Sequence, residues 1–458
     1  MWILFLLIYI NFNTHGEYWL YSDSLSEHFE DFGSISIREK NIALLTDYFI
    51  EDNIYNTQRK YLLFPSLIAT SRKMQLFLGY FHKTLLHGLI LNQTHDIEYK
   101  RFRYIKGISA EATYKQFHIN LFSGFPQDLQ FDGISYSTTQ DTQGIVRGIS
   151  TLLDLASINI STAYLRLNRY NMPAPYAFSE IGGLGLEVSK NTFSFLLDAA
   201  FKKGVDFISY TRKKGNGLFL SMEFSREQCD LLVQLARYDS LSFYNINLPP
   251  VPIKTEILPS SGNSDKGGSF TLSLPHGNGN IEIGSGAIYS LKERSYIYPK
   301  NGRAYQEVYI ETNRYHDAIN YTIKTGYEHR LRIEPEYTHL KDIYVQSDID
   351  LLKLSLECFL RLDRFTEDTS KYLKGVLNST FYITSNLNIQ LLTEYATSKI
   401  ARYDFERFWP AVELSFNIEG GNISLFYGKQ RGGLVCSGGM CRIMPKFNGL
   451  KLIVSKSI

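Results

Sequence analysis

Apolar and polar side chains alternate with a period of two through segment after segment of this chain, from about residue 60 to the C-terminus. Leu352, Leu354, Leu356, Cys358, Leu360 and Leu362 fall on one side of one such segment, and Lys353, Ser355, Glu357, Arg361 and Asp363 on the other. In another, Val412, Leu414, Phe416 and Ile418 share a face. A strand of this kind has one oily and one wet face. When most of a 458-residue chain is built so, the economical solution is one sheet closed on itself, oily outside and wet inside: an all-β, closed antiparallel transmembrane β-barrel. Nowhere beyond the N-terminus is there a run near the roughly 18 to 20 apolar residues that a spanning helix needs.

The segments come in pairs. Leu184, Leu186 and Val188 run to a turn at Lys190 and Asn191, and Phe193, Phe195 and Leu197 return. Leu377, Phe381 and Ile383 reach a turn at Ser385 and Asn386 before Leu387, Ile389 and Leu391 come back. Gly420, Gly421 and Asn422 turn a third pair, and Gly or Asn suits tight hairpins because such turns need positive φ. Longer connections alternate with these turns, the largest near residues 243–268. Short turns on one rim and longer loops on the other is the asymmetry of outer-membrane barrels. At about 20 residues per strand and its share of turn, the chain supplies roughly 22 strands.

The first ten residues, Met1 to Ile10, are almost wholly apolar, which suits the core of a secretory leader and is too short to span a bilayer. Residues 1–16 therefore read as a signal peptide and 17–458 as the barrel, with an irregular N-terminal part at 17–60. Tyr (32) and Phe (30) are abundant, as expected of strands and of aromatic girdles at a lipid interface. The 48 basic and 46 acidic residues are interspersed, so no nucleic-acid partner is expected.

Cys436 and Cys441 close a short Gly-rich loop, and in an exported protein that favours a disulfide, with two free thiols as the plain alternative. No metal site is expected there, because no further Cys or His pair is near in sequence to complete four ligands. Gly182, Gly183 and Gly185 lack the spacing of a phosphate loop and read as strand glycines facing a bulky neighbour. His82, His87 and His95 lie near Asp96 and Glu98, an arrangement conceivable for a barrel hydrolase; histidines on polar faces are the commoner case, and no enzyme and no cofactor is expected. Face assignment gives Glu111, Lys115, Lys353, Glu357, Arg361, Asp363 and Glu394 as lumen candidates. Their mixed signs argue against a strongly ion-selective pore, which needs a ring of one charge.

The stretch 427–442, with Gly432, Gly433, Cys436, Gly438, Gly439 and Cys441, followed by Pro445 to Gly449, resembles the C-terminal signature of the DUF6029-like group of bacterial outer-membrane barrels. Residues 78–91 and the Asn/Pro-rich residues 247–250 look like two further stretches of that group, so the resemblance spans most of the chain. His87 stands where the group often has Arg, and the chain ends in Ser457 and Ile458 in place of the Phe that many such barrels present to the barrel-assembly machinery. The resemblance implies a barrel in the bacterial outer membrane, with outer-membrane lipid and the assembly machinery as partners, and implies no activity.

The expected role is a porin-like channel for small polar solutes. The alternatives are a structural or adhesive surface barrel closed by side chains or by residues 243–268 folded inward, a barrel enzyme, and a secreted β-rich glycan-binding protein.

Overall fold

The computed structural model describes residues 9–22, 27–53, 56–93, 95–96, 101–131, 136–140, 144–169, 178–206, 211–241, 250, 264–290, 303–316, 319–332, 338–365, 371–397, 406–437, 440–444 and 446–457. Twenty-four antiparallel strands form one closed barrel, against roughly 22 expected from length. Each strand pairs with its neighbour in sequence, apart from short insertions, and the ring shuts where the first strand, Tyr9–Tyr21, meets the last, Phe447–Ser457. Nine residue pairs, from Asn13↔Ser457 to Tyr21↔Gly449, make that seam. Backbone amides and carbonyls exposed to hydrocarbon have no water to bond, so a spanning sheet needs this closure.

The strand Tyr9–Tyr21 overlaps the stretch read as a leader, and Glu27–Glu39 and Ile42–Asn53 are ordinary wall strands within the stretch read as irregular. Leu352 and Lys353, assigned by alternation to a strand, form instead the turn between Thr338–Leu351 and Leu354–Phe365. Tight turns such as 40–41, 115–116, 191–192, 277–278 and 419–420 occupy the rim that carries both chain ends. At the opposite rim successive strands end and begin further apart in sequence, Phe81 and Arg101 in one case, Asp239 and Ser264 in another.

The two faces separate by chemistry. Ile343, Val345, Leu360, Leu362 and Leu377 stand exposed on neighbouring strands, while Asp342, Tyr344, Arg361 and Asp363 are buried between them in sequence. The same alternation of exposed Leu, Ile and Phe with inward polar or small residues runs round the ring: Leu184, Phe201, Leu218, Leu235, Phe270 and Ile310 continue the outer belt. Closure together with this belt makes the chain an outer-membrane β-barrel. Leu360→Arg, which puts a charge in the belt, is expected to cost about 2–4 kcal/mol, and Gln346→Lys on the inner face well under 1 kcal/mol; urea titration of protein folded into lipid vesicles measures both.

Candidate functional site

A 24-strand ring encloses more space than wall side chains alone fill, so its interior holds water, an inserted segment, or both. Here residues 82–93, between the wall strands Met74–Phe81 and Arg101–Tyr114, turn inward. Lys83–Leu85 pairs with Leu91–Gln93 in a small two-stranded sheet separate from the wall. Between them Leu86, His87 and Gly88 all adopt left-handed backbone, φ 46°, 48° and 92°. Two consecutive non-glycine residues in that region cost about 1–2 kcal/mol each and persist only where packing holds them.

The packing is extensive. Leu85, Leu86, Leu89, Ile90 and Leu91 are buried with Ile105, Phe122, Val146, Leu165, Ile181, Ala200, Phe219 and Tyr238, which come from eight adjacent wall strands. These wall residues lie on the face opposite the exposed belt, so the segment sits inside. Gly183 and Gly185 make the room: a Cβ at Gly183 would lie 2.7 Å from Leu86 Cδ1 and 2.9 Å from Ile90 Cδ1. The bulky neighbour that the glycine pattern implied is this segment. Tyr238, also inward, donates to the carbonyl of Pro250 at 2.7 Å, which brings one point of the long 240–263 connection to the inner side. The rest of residues 243–268, up to the strand that begins at Ser264, lies outside the described residues.

Polar contacts tie the segment to the wall. His87 Nδ1 lies 2.8 Å from Asp198 Oδ2, with the Asp198 side chain fully buried. Lys83 Nζ is 2.6 Å from Glu111 Oε1, which also accepts from Asn120 Nδ2 at 2.7 Å. The hydrogen bond to the Asp198 carboxylate raises the His87 pKa against the opposing effect of burial, aided by the charges of Asp198 and Glu187. Burial instead holds His82 below the usual imidazole value, although its Nδ1 bonds the Arg103 carbonyl at 2.7 Å. His82 and His87 thus belong to different contacts, His95 and Asp96 pair with Phe102 and Arg101 along the sheet, and Glu98 lies outside the described residues.

The inner wall of Arg303–His316 through Leu354–Phe365 has a different character. Arg361 forms an ion pair with Glu328, and its Nε lies 3.8 Å from both Asp342 and Asp363. Glu307 accepts from Tyr305 at 3.0 Å and from Tyr344, and Lys324 Nζ sits 3.4 Å from it and 3.8 Å from the Tyr309 ring centroid. The sequence candidates Arg361 and Asp363 are therefore buried in one charged network. Glu357, on the same face, accepts from Asn378 Nδ2 at 2.8 Å, and Glu394 pairs with Lys374 and Arg431 at 3.4 and 2.9 Å. Glu111 is beside the inward segment. Lys115 and Lys353 sit in exposed turns on the short rim, so alternation carried past the strand ends misplaced both. Asp198, Glu187 and Asn159 went unnoticed in the sequence, because an isolated polar residue on a wet face carries no signal of its own.

Cys436 and Cys441 face one another in register across the hairpin Gly433–Ser437 and Met440–Met444; their side chains lie outside the described residues.

Over residues 305–458 the chain matches a family of unknown function, DUF6029. That span contains the Cys436–Cys441 stretch; the resemblances at 78–91 and 247–250 fall outside it. A search of curated proteins finds no match. Among solved structures, the translocation pore of the P pilus usher PapC superposes with a TM-score of 0.50 at 8% identity, covering 99% of each chain. The copper transporter OprC gives 0.49 at 9% identity over 98% of this chain and 80% of its own. OpdO of Pseudomonas aeruginosa gives 0.46 at 7% identity over 85% and 96%. At 8% identity the usher pore shares the barrel fold.

Because His87 has a raised pKa, its hold on Asp198 is complete below the ordinary imidazole value and is lost as pH rises through the raised one. Exchange protection of residues 83–91 is expected to fall with pH across that window, and His87→Ala to lower it at acid pH and remove the pH dependence. Hydrogen exchange in detergent from pH 5 to 9 measures this.

Proposed function

We propose that the barrel is a porin-like channel that passes small polar solutes along the charged inner wall of its C-terminal half. The carrying observation is the division of the interior: eight adjacent strands are covered by the apolar inward segment, while the wall around Glu307, Lys324, Glu328 and Arg361 carries paired acidic and basic side chains. Charged side chains facing the middle of a membrane are costly and characteristic of a hydrated path. The segment narrows the lumen from one side and leaves the charged wall as the route. Basic and acidic groups alternate there, which favours neutral or zwitterionic solutes over a single sign of ion.

The same segment supports a second reading. Leu89, Ile90 and Leu91 are fully buried, and the long 240–263 connection reaches the interior at Pro250; a barrel closed by both would conduct nothing and would serve as a structural or adhesive surface protein. Planar-bilayer recording separates the two. Stepped conductance from the intact chain, raised severalfold when residues 85–91 are replaced by a short Gly/Ser linker, supports the channel. Silence from folded intact protein, with steps only after that replacement, supports the closed barrel.

Assembly into the outer membrane requires export, and the leader proposed for residues 1–16 overlaps the seam. Since Asn13 to Gly16 pair with Ser457 to Val454, the N-terminus of the embedded protein is expected at or before Asn13; a mass that places it at Glu17 would leave those four pairs unmade.

We also infer a disulfide between Cys436 and Cys441. Directly opposed residues in an antiparallel pair have Cα atoms about 4.5–5.5 Å apart, within the range a disulfide spans. Protein purified without reductant is expected to gain two alkylatable thiols in this hairpin on reduction, read by peptide mass; two alkylatable thiols there before reduction would exclude the bridge.

A further inference from the structure

The inward segment roofs a cavity of about 480 Å³, a size suited to a small organic ligand. Its lining includes Lys83, His87, Glu111, Asn159, Ser161 and Glu187, with Leu86, Ala163 and Leu196 as apolar wall. Two buried acceptors have no hydrogen-bond partner, Asn159 Oδ1 in the lining and Asp198 Oδ1 just behind it. Asp198 is fully buried, and only its Oδ2 is engaged, by His87. A buried carboxylate oxygen without a donor is costly, and a natural protein keeps one where something else supplies the donor.

The unused oxygen lies beside Gly185, directly behind the cavity floor. A Cβ added at Gly185 would lie 2.6 Å from Asp198 Oδ1 and 2.9 Å from Leu86 Cδ2, with Ser161 Oγ also against it; Gly185, Ser161 and Leu86 all line the cavity. The strand register puts Asp198 opposite Gly185, Gly185 opposite Ser161, and Asn159 opposite Glu187. Asn159 and Glu187 are therefore displaced from Ser161 and Gly185 by two residues along their strands, about 7 Å. Glu187 accepts from Asn159 Nδ2 at 3.3 Å, which leaves the Asn159 oxygen as the orphan. Glu111 is already paired with Lys83, so the remaining acidic groups at the cavity are Glu187 and, behind the floor, Asp198, which shares one oxygen with His87.

We propose that this cavity binds a small aliphatic diamine, with one ammonium donating to Asp198 Oδ1 and Ser161 Oγ, the second to Asn159 Oδ1 and Glu187, and the methylene chain against Leu86 and Ala163. An ammonium carries three donors and no acceptor, and the two acceptor groups are separated by about the length of a four-carbon diamine, one strand repeat. The site stands apart from the charged wall assigned above to solute passage and does not depend on conduction.

His87 shares Asp198 and competes with the ligand when protonated. The charged groups around it are Asp198 and Glu187 from the wall, with Lys83, Glu111 and His118 across the cavity. Diamine affinity is therefore expected to rise as His87 loses its proton, and this dependence to vanish in His87→Ala.

Titration calorimetry on the full chain in detergent tests the assignment, with strand content by circular dichroism and heat-modifiable gel mobility confirming the fold of each variant. The expected results are that 1,4-diaminobutane binds at least about tenfold more tightly than 1,4-butanediol, that Asp198→Asn loses at least about tenfold in affinity, a difference of about 1.4 kcal/mol, and that Gly185→Ala, which fills the floor, abolishes binding. Absence of heat from the diamine with folded wild-type protein, equal binding of the diol, or undiminished binding by folded Asp198→Asn overturns it.

Discussion

Every part of this structure depends on backbone hydrogen bonds between its two ends. A sheet in hydrocarbon cannot leave an edge open, because each unpaired amide or carbonyl there has no water to turn to. The pairing of Tyr9–Tyr21 with Phe447–Ser457 removes that edge. It also fixes which face is which: once the ring is shut, Leu360, Val345 and their counterparts have only lipid to meet, and Glu307, Arg361 and Asp198 have only the interior. His15 Nδ1 and Ser455 Oγ, 2.6 Å apart across the seam, show that side chains there are matched as well as backbone.

Ring size then sets the problem of the interior. Twenty-four strands enclose a space too broad for wall side chains to fill. The chain answers it with two chemistries. Along eight strands it lays an apolar segment against glycines and aliphatic and aromatic residues, and the strained turn at Leu86 and His87 is held there by that contact. Along the C-terminal strands it places paired charges and tyrosines. The first is a closely packed apolar contact, the second a polar wall, and the cavity roofed by the segment, with the orphaned oxygen of Asn159 in its lining and that of Asp198 behind it, lies at the edge of the apolar region.

Much of the wall was legible in the sequence because a strand's period of two is local. Val412, Leu414 and Phe416 declare their face without reference to any other strand, and Gly420 and Gly421 declare the turn. The strand count, taken from length alone at about 20 residues per strand, comes close at roughly 22, and residues 17–60, with weaker alternation, form full wall strands all the same. Lys115 and Lys353 were misplaced because alternation says nothing about where a strand stops. The inward segment was not legible at all. Nothing in Leu85 to Leu91 itself marks an inward turn; what turns the segment inward is room made about 100 residues later by Gly183 and Gly185, together with the Asp198 carboxylate. Such contacts are distant in sequence and follow no period. The family match could not supply them, since it covers residues 305–458 and begins after all of these residues.

Closure is the claim on which the rest stands, and engineered cysteines at positions 15 and 455 test it in the membrane-embedded protein. The His15→Cys, Ser455→Cys pair is expected to cross-link on mild oxidation and yield a chain of altered mobility on a denaturing gel, as does the control pair Ser415→Cys, Ser424→Cys, whose hydroxyls are 2.8 Å apart on neighbouring wall strands. Cross-linking of the control pair with none between positions 15 and 455 would contradict the closed barrel.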